Sequence, residues 1–502
     1  MTETETPGLP VIPGKRHSLY ELMGLLKGLD DMLIRCMRCG FCQSVCPVYG
    51  ASFREADVAR GKVSLLEDLG MELTRDAKGV GERLNRCLLC GACEKNCPSG
   101  ARLMDIFISA RALVASYLGL GPIKRLIFSL ILPRPRLFNL SLSFLSIFQY
   151  PFLKSENKTL GTSSVPIMIP ILGRRHVPSI PFASFSEKMG SISTVPKKGS
   201  PKVAFFPGCV PDKLFPELSM DSLKVLKHHG VGVFMPKNLV CCGIPLLSSG
   251  DRDGFITLVK ENLHYLSQEN FDYLVTPCAS CAATIVEHWY RFREYFGLGE
   301  RAFISHLHEK TRDMTSFMVN DLKLSFPKPP TPPEDSPELP IVTYHDPCHL
   351  RKSLNVWEEP REILKSLPAY RYQEMPEAER CCGNGGSFNL SHYDLSLKIG
   401  QRKRESIESV SPQVVATSCP ACMLQLMDLL SQNHDDIKVR HVLELYAETL
   451  PEEDAAKDGA QDAAKDEAQD AAKTDSQDST KTPPAASERP EGESSQESST
   501  SH

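Results

Sequence analysis

The stretch Cys36-Met-Arg-Cys-Gly-Phe-Cys-Gln-Ser-Val-Cys-Pro47 carries four cysteines in the pattern C-x-x-C-x-x-C-x-x-x-C-P. Residues 87–98 repeat this pattern. Three thiolates two residues apart can wrap one face of a four-iron cubane, each on a different iron, and the fourth turns away to a neighbouring cluster. The sequence therefore predicts two cubane [4Fe–4S] clusters with ligands exchanged between the two runs.

The exchange gives each cubane three ligands from one run and one from the other. The first cubane set is Cys36, Cys39, Cys42 and Cys97. The second cubane set is Cys87, Cys90, Cys93 and Cys46. Gly40 and Gly91 would let the backbone approach the cluster sulfides, and Pro47 and Pro98 suit the first turn of a helix. Zinc is the alternative metal, but a tetrahedral zinc site does not explain a third cysteine at the same interval or the Cys-Pro ending.

The remaining ten of the 18 cysteines form two modules of five thiols. The first module is Cys209, Cys241, Cys242, Cys278 and Cys281. The second module is Cys348, Cys381, Cys382, Cys419 and Cys422. Equivalent cysteines are 139 to 141 residues apart, which indicates an internal duplication. Five thiols exceed the needs of a cubane, so a larger or opened cluster is expected. Buried free cysteines or a C-x-x-C dithiol are the alternative, but they do not explain the twofold register.

Strand and helix patterns alternate in both modules. Strands are predicted at residues 202–206, 273–276, 341–344 and 414–417, and helices at 219–229 and 360–367. Cys209, Cys278, Cys348 and Cys419 each follow a predicted strand, so they should gather at the carboxyl ends of a mostly parallel sheet. His345 and His349 flank Cys348 and are expected to surround the ligands or fill the core. The segment Asn384-Gly-Gly is expected to form a tight turn beside the second module.

The chain is predicted to be an α+β multidomain protein. Its six parts are a helical dicluster ferredoxin-type domain (residues 22–118), an apolar helical linker (119–200), a first cysteine-rich domain (201–325), a proline-rich linker (326–340), a second cysteine-rich domain (341–450) and a disordered acidic tail (451–502). Helices are predicted at residues 55–69 and 103–118. The apolar stretch of the first linker is interrupted by Pro133-Arg-Pro-Arg136. The piece before it, residues 123–132, is too short to span a bilayer, and the piece after it, residues 137–153, is about 17 residues long with serines, an asparagine and a glutamine, so a transmembrane span is the least favoured interpretation. Packing on neighbouring domains is one interpretation of it, and a membrane-surface or partner-binding segment is the other.

Charge and composition restrict the partners and the compartment. From Glu452 onward there are 14 acidic and 5 basic residues, a balance of −9, which leaves the preceding body at +4. The body has no strong basic patch, which argues against a nucleic-acid partner. The N-terminus has no apolar signal region, so we expect the cysteines to bind metal in the reducing cytoplasm. The tail has a low-complexity composition typical of disorder.

The module of one cysteine, a Cys-Cys-Gly and a C-x-x-C resembles the cysteine-rich domains of heterodisulfide reductases. The resemblance implies a noncubane [4Fe–4S] cluster held by five cysteines in each module. Its fusion to a dicluster domain is similar to the D-type subunit of heterodisulfide reductase and to the iron–sulfur subunits of glycolate, lactate and glycerol-3-phosphate dehydrogenases. Residues 344–350, 374–383 and 440–445 are especially similar to the glycolate oxidase iron–sulfur subunit. The resemblance covers residues 22–446.

A function follows from the resemblance and from the motifs that the sequence lacks. There is no G-x-G-x-x-G between a strand and a helix and no P-loop, so the chain is predicted to carry no flavin or nicotinamide. The resemblance implies an electron-transfer subunit between a FAD-linked 2-hydroxy acid (lactate or glycolate) dehydrogenase and a quinone or another carrier. The alternative is a catalytic subunit of the heterodisulfide reductase type, which reduces a disulfide at a noncubane cluster. The location is predicted to be cytoplasmic, with peripheral membrane association as an open possibility.

Overall fold

Eight helices form the N-terminal region of the structure, a computed structural model that describes residues 18–152, 154–164, 174–329 and 338–451. The helices are α1 Leu19–Lys27, α2 Asp30–Leu33, α3 Phe41–Val45, α4 Pro47–Ser52, α5 Ala59–Gly70, α6 Ala77–Asn85, α7 Ala92–Lys95 and α8 Leu103–Leu118. Ser18 begins α1 with a capping box, because its hydroxyl accepts from the Glu21 N–H and the Glu21 carboxylate accepts from the Ser18 N–H. The helix predicted at 103–118 is α8.

Helix α8 is the centre of this region. Its apolar side chains Ile106, Phe107 and Leu113 are buried in a core that extends into the first cysteine-rich domain. The buried Arg111 connects the two regions. Its guanidinium donates to the carbonyls of Leu84 and Cys87 and to that of Ser248, each at 2.6 Å. The helical region and the first cysteine-rich domain therefore share both an apolar core and a buried polar contact.

The segment after α8 differs in part from the helical linker that the sequence predicts. It begins with helices α9 Pro122–Leu126 and α10 Pro135–Phe152, joined by a π-helical turn Ile127–Ile131. An antiparallel sheet follows, made of β1 Lys154–Asn157, β2 Thr162–Ser164 and β3 Val177–Pro178, and then α11 Phe185–Met189. These strands have two to four residues and polar sequences, too short for an alternation pattern. They form because they pack on the last domain, where the Thr162 and Ser431 hydroxyls lie 2.6 Å apart.

The first cysteine-rich domain is built on a five-stranded sheet. Its elements are β4 Ile192–Ser193, β5 Lys202–Phe205, α12 Cys209–Leu214, α13 Pro216–His228, β6 Gly232–Met235, α14 Ile244–Ser248, α15 Arg252–Leu266, β7 Tyr273–Thr276, α16 Ala279–Ala283, α17 Leu298–Lys310, β8 Thr311–Asp313 and α18 Met314–Ser316. The strand order is β4-β6-β5-β7-β8, and only β4 is antiparallel to its neighbour. Strand β4 lies within the predicted linker and nevertheless completes this sheet.

The second cysteine-rich domain repeats the arrangement on a four-stranded parallel sheet. Its elements are β9 Ile341–His345, α19 Glu358–Lys365, β10 Arg371–Tyr372, α20 Ser387–Ser391, α21 Tyr393–Glu408, β11 Val414–Thr417, α22 Pro420–Gln432, β12 Lys438–His441 and α23 Val442–Ala447. The order β10-β9-β11-β12 matches β6-β5-β7-β8 of the first domain strand for strand. This match confirms the α/β duplication and the mixed fold class. The predicted tail beyond residue 451 and residues 330–337 of the proline-rich linker lie outside the described residues.

Candidate metal centres

The first cubane set lies around one cavity at the edge of the helical region. Cys36, Cys39, Cys42 and Cys97 line this cavity of about 320 Å³, together with Cys93. Cys39 is exposed and the other three members of the set are partly buried. Cys36 and Cys39 precede α3, and Cys97 follows α7, so the cavity joins thiols from both runs.

The second cubane set lies around a deeper cavity of about 380 Å³. Its four thiols all line the cavity, and Cys93 therefore lines both cavities. Burial raises the pKa of the Cys46 and Cys93 thiols and raises the pKa of Cys90 to about 12. The buried Lys62 lines the same cavity. Free thiols here would be protonated at neutral pH, whereas a bound metal stabilises the thiolate form.

Left-handed backbone inside each run brings the cysteines together. Gly40 (φ 93°) and Gly91 (φ 71°) directly precede α3 and α7, and this conformation is one that glycine adopts without strain. Pro47 is the first residue of α4, as predicted. The prediction for Pro98 was wrong, because α8 begins only at Leu103. Gly100 (φ 65°) donates to the Cys97 carbonyl at 3.1 Å and closes a turn instead of a helix.

The five thiols of the first module contact one another in an open series, and we call this group the first ring. The Sγ atoms of Cys209 and Cys241 are 3.4 Å apart. Thiol–thiol contacts then run from Cys241 to Cys242, from Cys242 to Cys281, and from Cys281 to Cys278. Buried side chains fix the Cys-Cys-Gly loop, since Asn262 Nδ2 donates to the Cys241 carbonyl at 3.1 Å and Trp289 Nε1 donates to the Cys242 carbonyl at 3.0 Å.

The second module forms the same ring in the same order. Its thiol contacts join Cys348 to Cys381, Cys381 to Cys382, Cys382 to Cys422, and Cys422 to Cys419. The glycine of each Cys-Cys-Gly has a positive φ, 95° at Gly243 and 98° at Gly383. A Cβ at Gly383 would lie 2.6 Å from the Ser396 carbonyl oxygen, so the motif requires glycine for space as well as conformation.

His345 approaches the second ring from the end of β9. The side chain is fully buried, and neither ring nitrogen has a hydrogen-bond partner among the residues that the structure describes. One ring nitrogen lies within 4.8 Å of the Cys382 and Cys422 sulfurs. In the first module the equivalent position is Phe206, so the two rings have different surroundings. The other predicted histidine, His349, instead contacts the Ser280 hydroxyl of the first module at 3.2 Å.

The four thiol groups form a continuous series. The second cubane set meets the second module where Leu88, next to Cys87, packs in one apolar cluster with Cys381. The Asn384-Gly-Gly segment is a turn here, since the Gly386 N–H donates to Asn384 Oδ1 at 3.1 Å. The two modules meet through a thiol contact between Cys278 and Cys419. The order is therefore first cubane set, second cubane set, second module, first module.

Lys352 lies at the junction between the second cubane set and the second module. Burial lowers its pKa, but the negative charge of the Cys90, Cys348 and Cys381 thiolates, the form that binds metal, outweighs this and raises the pKa above its usual value. Sequence reasoning missed Lys352, as it missed Arg111. The contacts of both depend on chain segments far apart in sequence, and no local motif marks them.

The donor sets fit iron–sulfur clusters. Every group contains four or five convergent sulfurs. Apart from the cysteines, the described linings of the two cubane cavities offer only the Asp57 carboxylate and the thioethers of Met37 and Met104 as further ligands. Cationic side chains that can offset thiolate charge, Lys62 and Lys352, stand beside the second set. Soft thiolate donors in this number select iron–sulfur clusters or zinc over hard cations.

No helix within the described ranges is both long and apolar enough to cross a bilayer.

Known proteins share this combination of domains. A family model described as a 4Fe-4S dicluster domain matches residues 32–101, and one described as a cysteine-rich domain matches residues 203–286 and 342–427. The chain is 28% identical over 417 residues to the probable glycolate oxidase iron-sulfur subunit of Bacillus subtilis, covering 79% of this chain and 89% of the relative. It is 29% identical over 413 residues to a fumarate reductase (CoM/CoB) subunit of Methanothermobacter marburgensis, covering 82% and 71%. Lactate utilization protein A 2 of Bacillus cereus is 28% identical over 251 residues, covering 50% and 99%.

Proposed function

We propose that this chain transfers electrons between a flavin-dependent 2-hydroxy acid dehydrogenase and a quinone or another carrier. It is a homologue of iron–sulfur subunits and has one dicluster domain and two cysteine-rich domains. The observation that carries the proposal is the continuous series of four thiol groups. The relatives named for glycolate oxidase and lactate utilization support the substrate class of the partner.

The residues that would hold the clusters are the four groups already described. We assign a cubane [4Fe–4S] cluster to each cubane set and a noncubane [4Fe–4S] cluster to each five-thiol ring. Such clusters, when bound, accept and release single electrons at potentials set by hydrogen bonds, charge and exposure. The protein's contribution is to bury the inner groups and to leave Cys39 of the first set exposed.

The partner dehydrogenase would dock around Cys39. The side chains of Ile34, just before the first run, and of Met37 and Phe41 within it are 74%, 67% and 64% exposed. An apolar patch next to an exposed ligand suits a protein contact, because it brings the redox groups of both proteins close and excludes water from between them. The partner's flavin would thus approach the first cubane set.

Metal analysis tests the number of clusters. We expect about 16 iron and as many sulfide per chain after anaerobic purification. Cys241→Ser should remove the signal of the first ring alone, and Cys381→Ser should remove that of the second ring alone. About four iron per chain, stoichiometric zinc, or loss of every cluster signal in either variant would contradict the assignment.

Co-purification tests the partner. The native complex should contain a flavoprotein that reduces this chain when its hydroxy acid is added. The double variant Ile34→Asp/Met37→Asp should release that flavoprotein while the iron content stays unchanged. Leu73→Asp is the matched control, since Leu73 is also 74% exposed but lies outside the first run. Equal retention of the flavoprotein by both variants would contradict docking at Cys39.

A second candidate function is disulfide chemistry at a five-thiol ring. It is favoured by the complete set of five cysteines in both modules and by the similarity to the fumarate reductase (CoM/CoB) relative. In that case reduced, cluster-loaded protein should be oxidised by a disulfide without a quinone. The electron-transfer function predicts oxidation by a quinone analogue and none by the disulfide.

A further inference from the structure

Helix α10 buries two polar side chains and exposes a stripe of apolar ones. Asn139 and Ser146 face the protein and are buried, with 8% and 4% exposure. Leu140, Phe144 and Ile147, spaced by four and three residues, lie on one side of the helix with 67%, 60% and 59% exposure. A surface helix of a water-soluble protein normally places such a stripe inward. The outward stripe therefore requires an apolar environment outside the protein.

The exposed apolar surface extends beyond α10. Leu126 and Leu130 are exposed on α9 and the following turn. Phe182 is exposed beside α10, and its carbonyl accepts from the Ser143 hydroxyl at 2.9 Å. We call this surface the α10 face, defined by Leu126, Leu130, Leu140, Phe144, Ile147 and Phe182.

The charge along residues 106–155, which carry most of the α10 face, has a single sign. Between Asp105 and Glu156 the sequence has no acidic residue, whereas it has six basic ones. Arg125, Arg134 and Arg136 are exposed, and none of the acidic side chains in the described ranges forms an ion pair with them. A segment with exposed apolar side chains, basic residues and no acidic residue is typical of one that lies in the headgroup region of an anionic bilayer.

We propose that the α10 face binds in the plane of a membrane surface that contains anionic lipids. A helix that lies flat inserts its apolar side chains among the acyl chains and keeps its arginines at the phosphates. The absence of acidic residues along this segment favours lipid over a protein partner, since a protein interface usually mixes both signs at its rim. The binding does not depend on which proteins donate or accept electrons.

Docking in this way would place the first module beside the lipid. The inner side of α10 contacts that module, where Lys213 Nζ lies 5.9 Å from the centre of the Phe138 ring. A cavity of about 370 Å³ between them is lined by Phe138, Leu132, Cys209 and Cys241. This consequence rests on the proposed function: the end of the thiol series would face a lipid-soluble carrier, and the exposed Cys39 would remain available to the dehydrogenase.

Vesicle flotation tests the proposal on the full chain, purified anaerobically with its clusters. Phosphatidylcholine vesicles that contain about 30% phosphatidylglycerol have a negatively charged surface. These vesicles should carry the protein upward in the density gradient. Pure phosphatidylcholine vesicles should carry much less. Arg125→Gln/Arg136→Gln should weaken binding by roughly 25-fold, because each basic residue near an anionic surface contributes about five-fold.

Apolar variants separate insertion from attraction by charge. Leu140→Ser/Ile147→Ser should weaken binding at least about tenfold even at low salt, since apolar burial provides the remaining affinity. Val195→Ser/Leu298→Ser is the matched control, because both side chains are exposed elsewhere, and it should bind as the unaltered chain does. Iron content and far-UV circular dichroism verify that each variant is folded.

Three outcomes would overturn the proposal. The unaltered chain could fail to float with anionic vesicles. The α10 variants could float as well as the unaltered chain does. The α10 variants could also lose a stoichiometric partner subunit from the native complex without any loss of vesicle binding. The last outcome would assign the α10 face to a protein. Iron and sulfide counts are unaffected by any of these results, so failure here is distinguishable from failure of the proposed electron-transfer function.

Discussion

Arg111→Met offers a test of how the helical region is attached to the cysteine-rich domains. The substitution keeps an unbranched apolar stem and removes the guanidinium, which donates to the carbonyls of Leu84, Cys87 and Ser248. Arg111 is 4% exposed, so water cannot replace the donor without rearrangement. Each buried carbonyl left without a donor costs roughly 1–3 kcal/mol. For the three carbonyls we therefore expect the free energy of unfolding to fall by about 3–9 kcal/mol, a large part of the 5–15 kcal/mol typical of a domain.

The measurement is urea unfolding of the cluster-loaded protein under anaerobic conditions, followed by far-UV circular dichroism. Arg102→Met is the control at the start of the same helix. Arg102 pairs with Asp105, and its side chain is 46% exposed, so its loss should cost no more than about 1 kcal/mol. Because Arg111 also holds the Cys87 carbonyl, the signal of the second cubane set should be lost first as urea increases. Equal costs for the two variants, to within about 1 kcal/mol, would refute the role given to Arg111.

Three further predictions concern single side chains. Burial raises the pKa of Asp313 to about 6, against about 3.9 in an unfolded chain. Between these values the native state binds a proton that the unfolded state has released, so the stability of the wild-type protein falls as the pH rises from about 4 to 6. Asp313→Asn, which keeps the cap on Thr315, should therefore be more stable than wild type at pH 7 by on the order of 2 kcal/mol, and this gain should vanish near pH 4 in thermal unfolding. Gly385→Ala should destabilise the protein by about 1–3 kcal/mol more than Gly161→Ala. Both glycines have a similar positive φ (55° and 60°), but only the Cβ at 385 would meet Leu88, at 2.6 Å; equal urea midpoints would count against that contact. His345→Phe introduces the residue that the first module has at the equivalent position. It should lower the reduction potential of the cluster at the second ring in an electron paramagnetic resonance titration, since an N–H near the sulfurs favours the reduced state. An unchanged potential would show that His345 does not influence that cluster.

Much of the fold could be predicted because the strongest signals are local. Residues 273–276 and 414–417 are short apolar runs directly before a cysteine, and both are strands with the predicted bounds. The two sets of five cysteines hold one register, which identifies the duplication without any knowledge of the contacts. The positions of Gly243 and Gly383 follow from the same motif, since each needs a positive φ.

The features that escaped prediction depend on distant segments. Strands β1 to β3 exist because they pack on α22, and nothing in residues 154–178 marks that contact. Pro98 was assigned to a helix because Pro47 occupies the equivalent position, but Gly100 diverts the chain only after the second run. The junctions Leu88–Gly385 and Cys278–Cys419 join residues that are more than a hundred positions apart, so only the folded chain reveals the order of the thiol groups.

The small sheet β1–β3 has a consequence for biosynthesis. It is encoded before both cysteine-rich domains, yet it is held by the last one: the His176 N–H donates to Asp428 at 2.8 Å, and Asn157 Nδ2 donates to the Asp435 carbonyl at 3.0 Å. During translation, more than 250 further residues are synthesised after this segment before its docking site on α22 is complete. Completion of the C-terminal domain thereby acts as a late closing step, and a prematurely terminated chain would present unsatisfied strands to the chaperones and proteases that remove incomplete proteins.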